Sequence, residues 1–429
     1  MIARVRFVVL LVAACGGSSI TGDASRGDGS HRDDDAAARP VPVLQRSDEL
    51  CKLLSDHNIA DPTANDVQHR ANVLGADLGI PVVVDDTLYM LFGDTIGYAG
   101  IWGNQSHPDA VGYGADSATA IAANPSLLCA GLRIVVVSSD ASIGPTVDPS
   151  VQRDFAGAAM TVPAGQSLGD YIHNPAGGND GPTFANLPGD FEVPSGAFAH
   201  GGSLYVFYTT VVSPTDTTMS GSYLARWTTP STTSIPLYEI LYRIDERFDG
   251  SGALGGRFIN IAAVAHGDYV YAFGTGEYRA SAVYLATKRL DSLAQPGFAA
   301  EPMPLFDATG YGETSVRYFA QIDRWMFLAE ELTATTNRII ARFADQPEGP
   351  WSEPIIVHDM ADPQFLATYC CGADNDCAGN QFFRCDRTGF YGTYLLPDVL
   401  VHGDGSFTVT YTMSSFDPYN VALFTATFH

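Results

Sequence analysis

From about residue 70 onward, short apolar runs rich in β-branched and aromatic residues alternate with Gly, Asp and Pro, and helical periodicity hardly appears. Five of these runs come in pairs. "IPVVVDDTLYMLFGDT", "SGAFAHGGSLYVFYTTV", "NIAAVAHGDYVYAFGTG", "SVRYFAQIDRWMFLAEE" and "PDVLVHGDGSFTVTYTM" each read as a strand, a tight polar turn and a second strand centred on aromatic residues. With Phe92 as the reference position, the equivalents are Tyr208, Phe273, Leu328 and Thr410, separated by 116, 65, 55 and 82 residues. One helical pattern precedes them: in "SDELCKLLSDH" Ser47 is placed to cap, and Leu50, Leu53 and Leu54 share a face.

A four-stranded propeller blade takes roughly 40 to 50 residues and cannot bury its faces without neighbours. Five hairpins at these spacings therefore predict an all-β fold, a five-bladed β-propeller over 47–429 with a short helical or irregular segment at its N-terminal end. The long first interval predicts an insertion near 100–190 that contains strands such as "RIVVVSS". A sixth, degenerate blade within it is the alternative, and a β-sandwich would not require the repeated hairpin.

The first fifteen residues, "MIARVRFVVLLVAAC", place Arg4 and Arg6 before an apolar run that ends in small residues, as in a secretory signal. "VAAC" resembles a bacterial lipobox, with Cys15 as the lipidated residue. The apolar run is far shorter than the ~20 residues of a spanning helix. Residues 16–46, rich in Gly, Ser, Asp and Ala, bury too little surface to order themselves and read as a flexible tether to the lipid. The expectation is an exported, lipid-anchored envelope protein. Gly16 after Cys15 points to the outer membrane of a Gram-negative cell.

Loss of the leader with its two arginines takes the formal charge from −25 to −27. Such acidity repels nucleic acid and anionic membrane surfaces, disfavours a polyanion as substrate and favours neutral or cationic partners. The membrane is then met through the N-terminal lipid only, and the chain is expected to be a monomer. Without Cys15, six cysteines remain: Cys51, Cys129, Cys370, Cys371, Cys377 and Cys385. In an exported chain they read as disulfides, two of them within the Cys-rich insertion at 370–385 and one joining Cys51 to Cys129. Zinc is the weaker reading, because adjacent Cys370 and Cys371 cannot easily face one metal.

The first hairpin carries the candidate chemistry. A two-residue turn through Asp85 and Asp86 pairs Val84 with Thr87, and the same register sets Asp77 opposite Asp94 with Cβ atoms ~5 Å apart. A three-residue turn would pair Asp77 with Thr95 instead. Two carboxyls so placed can divide labour, one protonated as general acid and the other ionised as base or nucleophile, as glycoside hydrolysis requires. Turn capping is the competing role for either aspartate.

At the position of Asp94 the other hairpins carry Thr210, Thr275, Glu330 and Thr412, so Glu330 is a candidate third acid on the same rim. Trp102 and Asn104 in "IWGNQSH" offer an aromatic face and an amide for a sugar ring. Glu277 and Arg279 in "GTGEYR" are further substrate-binding candidates or an ion pair with each other. No His or Ser stands in a recognised metal or nucleophile motif, and no phosphate loop is present. No cofactor or metal site is expected, although a structural calcium ion in the acidic loops stays open.

"GADLGIPVVVDDTLYMLFGDT", the "WGN" that follows it, "NIAAVAHGDYVYAFGTGEYR", "EGPWSEP" and "PYNVALFTATF" resemble a bacterial propeller family long known only as a domain of unknown function and since connected with endo-D-arabinanases. The likeness runs from about residue 70 to the C terminus. It implies a five-bladed propeller that hydrolyses α-D-arabinofuranosyl bonds of mycobacterial-type arabinan, in arabinogalactan or lipoarabinomannan. Asp77 and Asp94 would be the acid pair, and the anomeric centre would be inverted. The cysteine cluster and the 100–190 insertion depart from a plain family member. The competing readings are a non-catalytic carbohydrate-binding propeller and a structural surface lipoprotein.

Overall fold

The computed structural model describes residues 39–54, 64–96, 109–137, 154–155, 159–161, 187, 191–213, 218–247, 254–306, 310–371, 381, 384–385 and 389–429. Residues 41–429 form one unit, a five-bladed propeller. The first blade contains Leu78–Val84, Thr87–Asp94, Asp109–Gly114 and Leu132–Ile134, and the second contains Phe191–His200, Ser203–Ser213, Thr218–Trp227 and Leu237–Glu246. A short strand, Ala159–Thr161, adds to the outer edge of the second blade in parallel. Asn260–His266, Tyr269–Thr275, Tyr284–Arg289 and Ala299–Ala300 make the third blade, and Tyr311–Phe319, Arg324–Leu332, Asn337–Ala344 and Ile355–Asp359 the fourth. The fifth takes Phe390–Val401, Phe407–Phe416 and Tyr419–Phe428 from the end of the chain and Leu44–Lys52 from its beginning.

Each expected hairpin supplies the two innermost strands of one blade. Among its described residues the 97–190 interval contributes the outer two strands of the first blade and short helices at Ala118–Ala123 and Leu128–Gly131, rather than a sixth blade. The innermost strands touch one another in a closed ring. Because both faces of a blade are covered by neighbours, the strands are apolar almost continuously, as in "TLYMLFGD", where every residue between Thr87 and Asp94 is buried.

The buried side chains fall into clusters between adjacent blades. Phe319, Met326 and Phe343 of the fourth meet Phe390, Tyr411 and Phe424 of the fifth. Likewise Leu78, Val82 and Tyr89 of the first meet Val206, Tyr208 and Trp227 of the second. Trp351 of "EGPWSEP" packs edge-on against Phe273, Phe306 and Phe327, so it serves the seam between the third and fourth blades.

The N-terminal segment corrects the sequence reading. Leu44–Lys52 is a strand, not a helix, and the propeller begins within the segment assigned to the tether, at Leu44 instead of 47. It pairs antiparallel with Tyr419–Phe428, from Leu44 opposite Phe428 to Lys52 opposite Ala422. An unpaired edge on the last blade outweighs the helical spacing of three leucines, since propensity yields to tertiary hydrogen bonding. Leu53 and Leu54, just past the strand, are fully buried.

Cys51 on this strand is bonded to Cys129 in the helix Leu128–Gly131 beside the first blade, across 78 residues of sequence. Cys370 is bonded to Cys385. Cys371 is also in a disulfide, while Cys377, Cys15 and the leader lie outside the described residues. Among the described residues no helix is long and apolar enough to cross a membrane.

The chain-entropy model assigns the 78-residue loop closed by Cys51–Cys129 ~4.5 kcal/mol of stabilisation. Replacing Cys51 and Cys129 together by alanine is expected to lower the unfolding free energy by about that amount. Guanidinium titration of the oxidised protein and the double variant measures it.

Candidate active site at the channel mouth

The turn of the first hairpin is the two-residue one expected. Asp85 and Asp86 take positive φ of 47° and 61°, and Val84 pairs with Thr87. Asp86 then works at that end of the blade, accepting hydrogen bonds from the backbone N–H and hydroxyl of Thr119.

The register holds as far as Ile80 opposite Leu91 and then slips by one, because Leu78 and Gly79, with φ of 65° and 75°, form a bulge and Leu78 pairs with Phe92. Asp77 is therefore not opposite Asp94. It faces Gly93, whose N–H donates to the Asp77 carbonyl at 3.1 Å. A methyl group on Gly93 would stand 2.4 Å from Asp77 Oδ1, so the carboxyl lies over the one residue in this strand without a side chain. The residue opposite Asp94 is Asp109, at the start of the third strand.

All five innermost strands start at the same end of the channel, and the acids gather there. Tyr391 donates its hydroxyl to Asp77 Oδ2 at 2.9 Å. Burial pushes the Asp77 carboxyl up to about 7, against hydrogen bonds from Tyr391 and Tyr419 that favour the ionised form, with Glu313 adding repulsion. Asp94 is pushed well above the usual carboxylate range, first by burial and then by Asp77 and Glu192. The same holds for Asp109, by burial and then by Asp94, Glu192 and Asp77. Oδ1 of each of the three aspartates is buried without a hydrogen-bond partner.

A second group of residues faces the same mouth from the fourth blade and the loop after the second strand of the third. Glu313, 5% exposed, accepts from the Tyr278 hydroxyl at 2.8 Å. Glu330, 2% exposed, is 3.0 Å from Arg279 Nε in an ion pair. Burial raises the Glu330 carboxyl to about 7 even though Arg279 lowers it. Its Oε2 would stand 2.6 Å from a methyl on Gly312, repeating the carboxyl-over-glycine arrangement of Asp77 and Gly93.

Arg279 and Glu277 do not pair with each other. Glu277, 60% exposed, is 3.1 Å from Arg247. Trp102 and Asn104 lie outside the described residues. Thr210, Thr275 and Thr412 are buried structural positions; Thr412, for instance, donates to the Gly79 carbonyl at 3.1 Å.

Asp109, Glu192, Glu313, Tyr278 and Tyr391 were not singled out from the sequence. The Gly79 that follows Leu78 is the one local signal that points to the bulge, since an isolated glycine in a strand pattern marks a bulge or a close approach. Below the mouth, Arg317 of the fourth blade donates to the carbonyls of Leu395 in the fifth and Pro81 in the first, lacing three innermost strands together. Among the described residues no group of three or more His, Cys, Asp or Glu is arranged to hold a metal ion.

Fold and site together define a five-bladed propeller with a nest of buried acids and tyrosine hydroxyls at one end of its channel. The chain belongs to the family DUF4185, a domain of unknown function, whose sequence profile matches residues 63–425. No curated protein matches it. Among solved structures it is similar to a candidate hydrolase from Bacteroides ovatus, with 12% identity, 84% of this chain and 87% of that chain covered, and a TM-score of 0.51. It also aligns with the catalytic domain of a GH62 α-L-arabinofuranosidase from Coprinopsis cinerea, with 11% identity, 90% and 97% covered, and a TM-score of 0.46. The first of these likenesses is one of fold.

A carboxyl that burial raises above its unfolded range, as at Asp109, binds more protons folded than unfolded and so costs stability as the pH rises past about 3.8, the unfolded value. Asp109→Asn is therefore expected to raise the melting temperature at pH 7 to 8 by at least about 2 °C. The gain should shrink as the pH falls toward 4, where the unfolded carboxyl is protonated too. Calorimetry across pH 4 to 8 checks both the sign and the window.

Proposed function

We propose that this protein is a glycoside hydrolase that cleaves α-D-arabinofuranosyl linkages of mycobacterial-type arabinan by paired-carboxyl acid and base catalysis, with inversion. The observation that carries the reading is the contrast between Asp77 and Asp94 in one buried site. Asp77 receives hydroxyl hydrogen bonds that stabilise its anion, whereas Asp94 gains only burial and the repulsion of Asp77 and Glu192. Two carboxyls whose environments push them apart in this way fall into the roles of base and acid.

In this mechanism Asp94 enters the reaction protonated and gives its proton to the leaving glycosidic oxygen as that bond breaks. Asp77, ionised, takes a proton from the water that attacks the anomeric carbon from the opposite face. Inverting enzymes separate the two carboxyls by ~6.5 to 9.5 Å to admit that water. Glu313 and Glu330 line the other side of the mouth and are suited to hold sugar hydroxyls. The formal charge of −25 favours a neutral polymer over an anionic one.

The proposal includes lipid attachment through Cys15 and export; the disulfides at Cys51–Cys129 and Cys370–Cys385 support the export, because such bonds persist in oxidising compartments.

Incubation with mycobacterial arabinogalactan is expected to release oligosaccharides whose newly formed reducing ends are β by proton NMR. Asp77→Asn and Asp94→Asn should each reduce the rate by about 10²- to 10⁴-fold while leaving the circular dichroism spectrum unchanged. Binding of arabinan without hydrolysis by the wild type would replace the enzyme with a lectin. Because Asp77 must be ionised, kcat/KM is expected to fall as the pH drops below about 7. Tyr391→Phe removes a hydrogen bond to the anion and should move that limb to higher pH.

A further inference from the structure

Arg279 occupies an unusual place. Its backbone is in the left-handed region, φ 55°, uncommon for a residue with a long side chain. The turn that holds it is tight: Ala280 N–H donates to the Glu277 carbonyl at 3.1 Å, Gly276 N–H to Ser281 Oγ at 2.9 Å, and Ser281 forms a β-bridge with Tyr311 of the fourth blade. From this turn the side chain reaches in over the channel mouth. Its guanidinium carbon is 4.7 Å from the ring centre of Tyr278 and 5.5 Å from that of Tyr391, and its Nε is 3.0 Å from Glu330.

Those two tyrosines are the ones whose hydroxyls donate to Glu313 and Asp77. A continuous line of contacts thus crosses the mouth from the first blade to the fourth. It runs from Asp77 through Tyr391, Arg279 and Tyr278 to Glu313. The planar cation is the only member that touches both rings, and an outlying backbone conformation held by several hydrogen bonds marks a position where side-chain placement is under constraint.

We infer that Arg279 is a positioning residue for the reaction proposed above, clamped by Glu330, that fixes Tyr391 against Asp77 and Tyr278 against Glu313. The inference rests on that reading of Asp77 as the base. It differs from a substrate-binding role because Arg279 acts through the tyrosines. A lysine, a point charge without a stacking plane, cannot replace it. The groups that face Asp77 are Tyr391, Tyr394 and Tyr419 from the fifth blade, Glu313 from the fourth, and Asp94 and Asp109 from its own. Those that face Arg279 are Tyr278, Glu330, Glu313 and Tyr391.

The test titrates the Asp77 carboxyl by carbon NMR in substrate-free protein, with Asp77→Asn assigning the signal. Wild type is compared with Arg279→Met, Arg279→Lys, Tyr391→Phe and the Arg279→Met/Tyr391→Phe double variant. Each arginine variant is expected to raise the midpoint by about one pH unit, the equivalent of one weakened hydrogen bond to a charged group. The double variant should titrate as Tyr391→Phe alone. A lysine variant that titrates as wild type, or shifts that add in the double variant, would mean that Arg279 acts by its charge alone and would overturn the inference.

In turnover of arabinan, kcat is expected to fall about tenfold with KM little changed, the acid limb moving with the midpoint. A raised KM with an unmoved limb would make Arg279 a substrate ligand and also overturn it. Should wild type hydrolyse no glycan, the hydrolase reading fails while the NMR comparison still decides the role of Arg279.

Discussion

The pairing of Leu44–Lys52 with Tyr419–Phe428 is the contact on which the rest of the molecule depends. A propeller is a ring of sheets, each covered on both faces by its neighbours, and a ring made from one chain must be closed by joining its ends. Here the first strand becomes the outer strand of the last blade. The Cys51–Cys129 bond then fastens that strand to the helix beside the first blade. Separation at this seam would expose Leu53, Leu54, Val421 and Leu423 together, the residues that fill the junction between the last blade and the first. Closure is therefore continuous with core packing.

The site is a product of the same ring. Once five hairpins are arranged radially with their first strands innermost, every first strand begins at one end of the channel and every second strand ends there. Residues far apart in sequence, Asp77 and Glu313 or Arg279 and Tyr391, are gathered by symmetry without any local motif. The stacking of blades also dries the place where they meet. That dryness raises the acids above their ordinary range and gives the tyrosine hydroxyls their leverage over which carboxyl is ionised.

This explains what could be read from the chain and what could not. The hairpins were legible because strand periodicity and turn chemistry are local, and the Asp85–Asp86 turn followed from its neighbours. The five-bladed count followed from repetition. The fate of "SDELCKLLSDH" was not legible, because its leucines fit a helix face and the strand it forms is dictated by an edge over 360 residues away. The place of Asp77 at the base of the first hairpin was legible, but the residue across the strand from it was misjudged by one, Gly93 instead of Asp94. The bulge at Leu78 and Gly79 depends on backbone conformation that a pairing count ignores. Asp109 and Glu313 carried no local signal at all, each being one more acid in a chain with 48 of them.

The buried acids have one further consequence. A formal charge of −25 counts every carboxyl as ionised, yet burial raises Asp94 and Asp109 well above the ordinary carboxylate range and Asp77 and Glu330 to about 7, so that near neutral pH the folded protein holds protons that the count leaves out. The folded molecule is thus less acidic than its composition, and it migrates in an electric field accordingly. Melting it hands those protons to the solvent, which makes its unfolding an acid-releasing reaction whose measured heat includes the ionisation heat of the buffer that receives them.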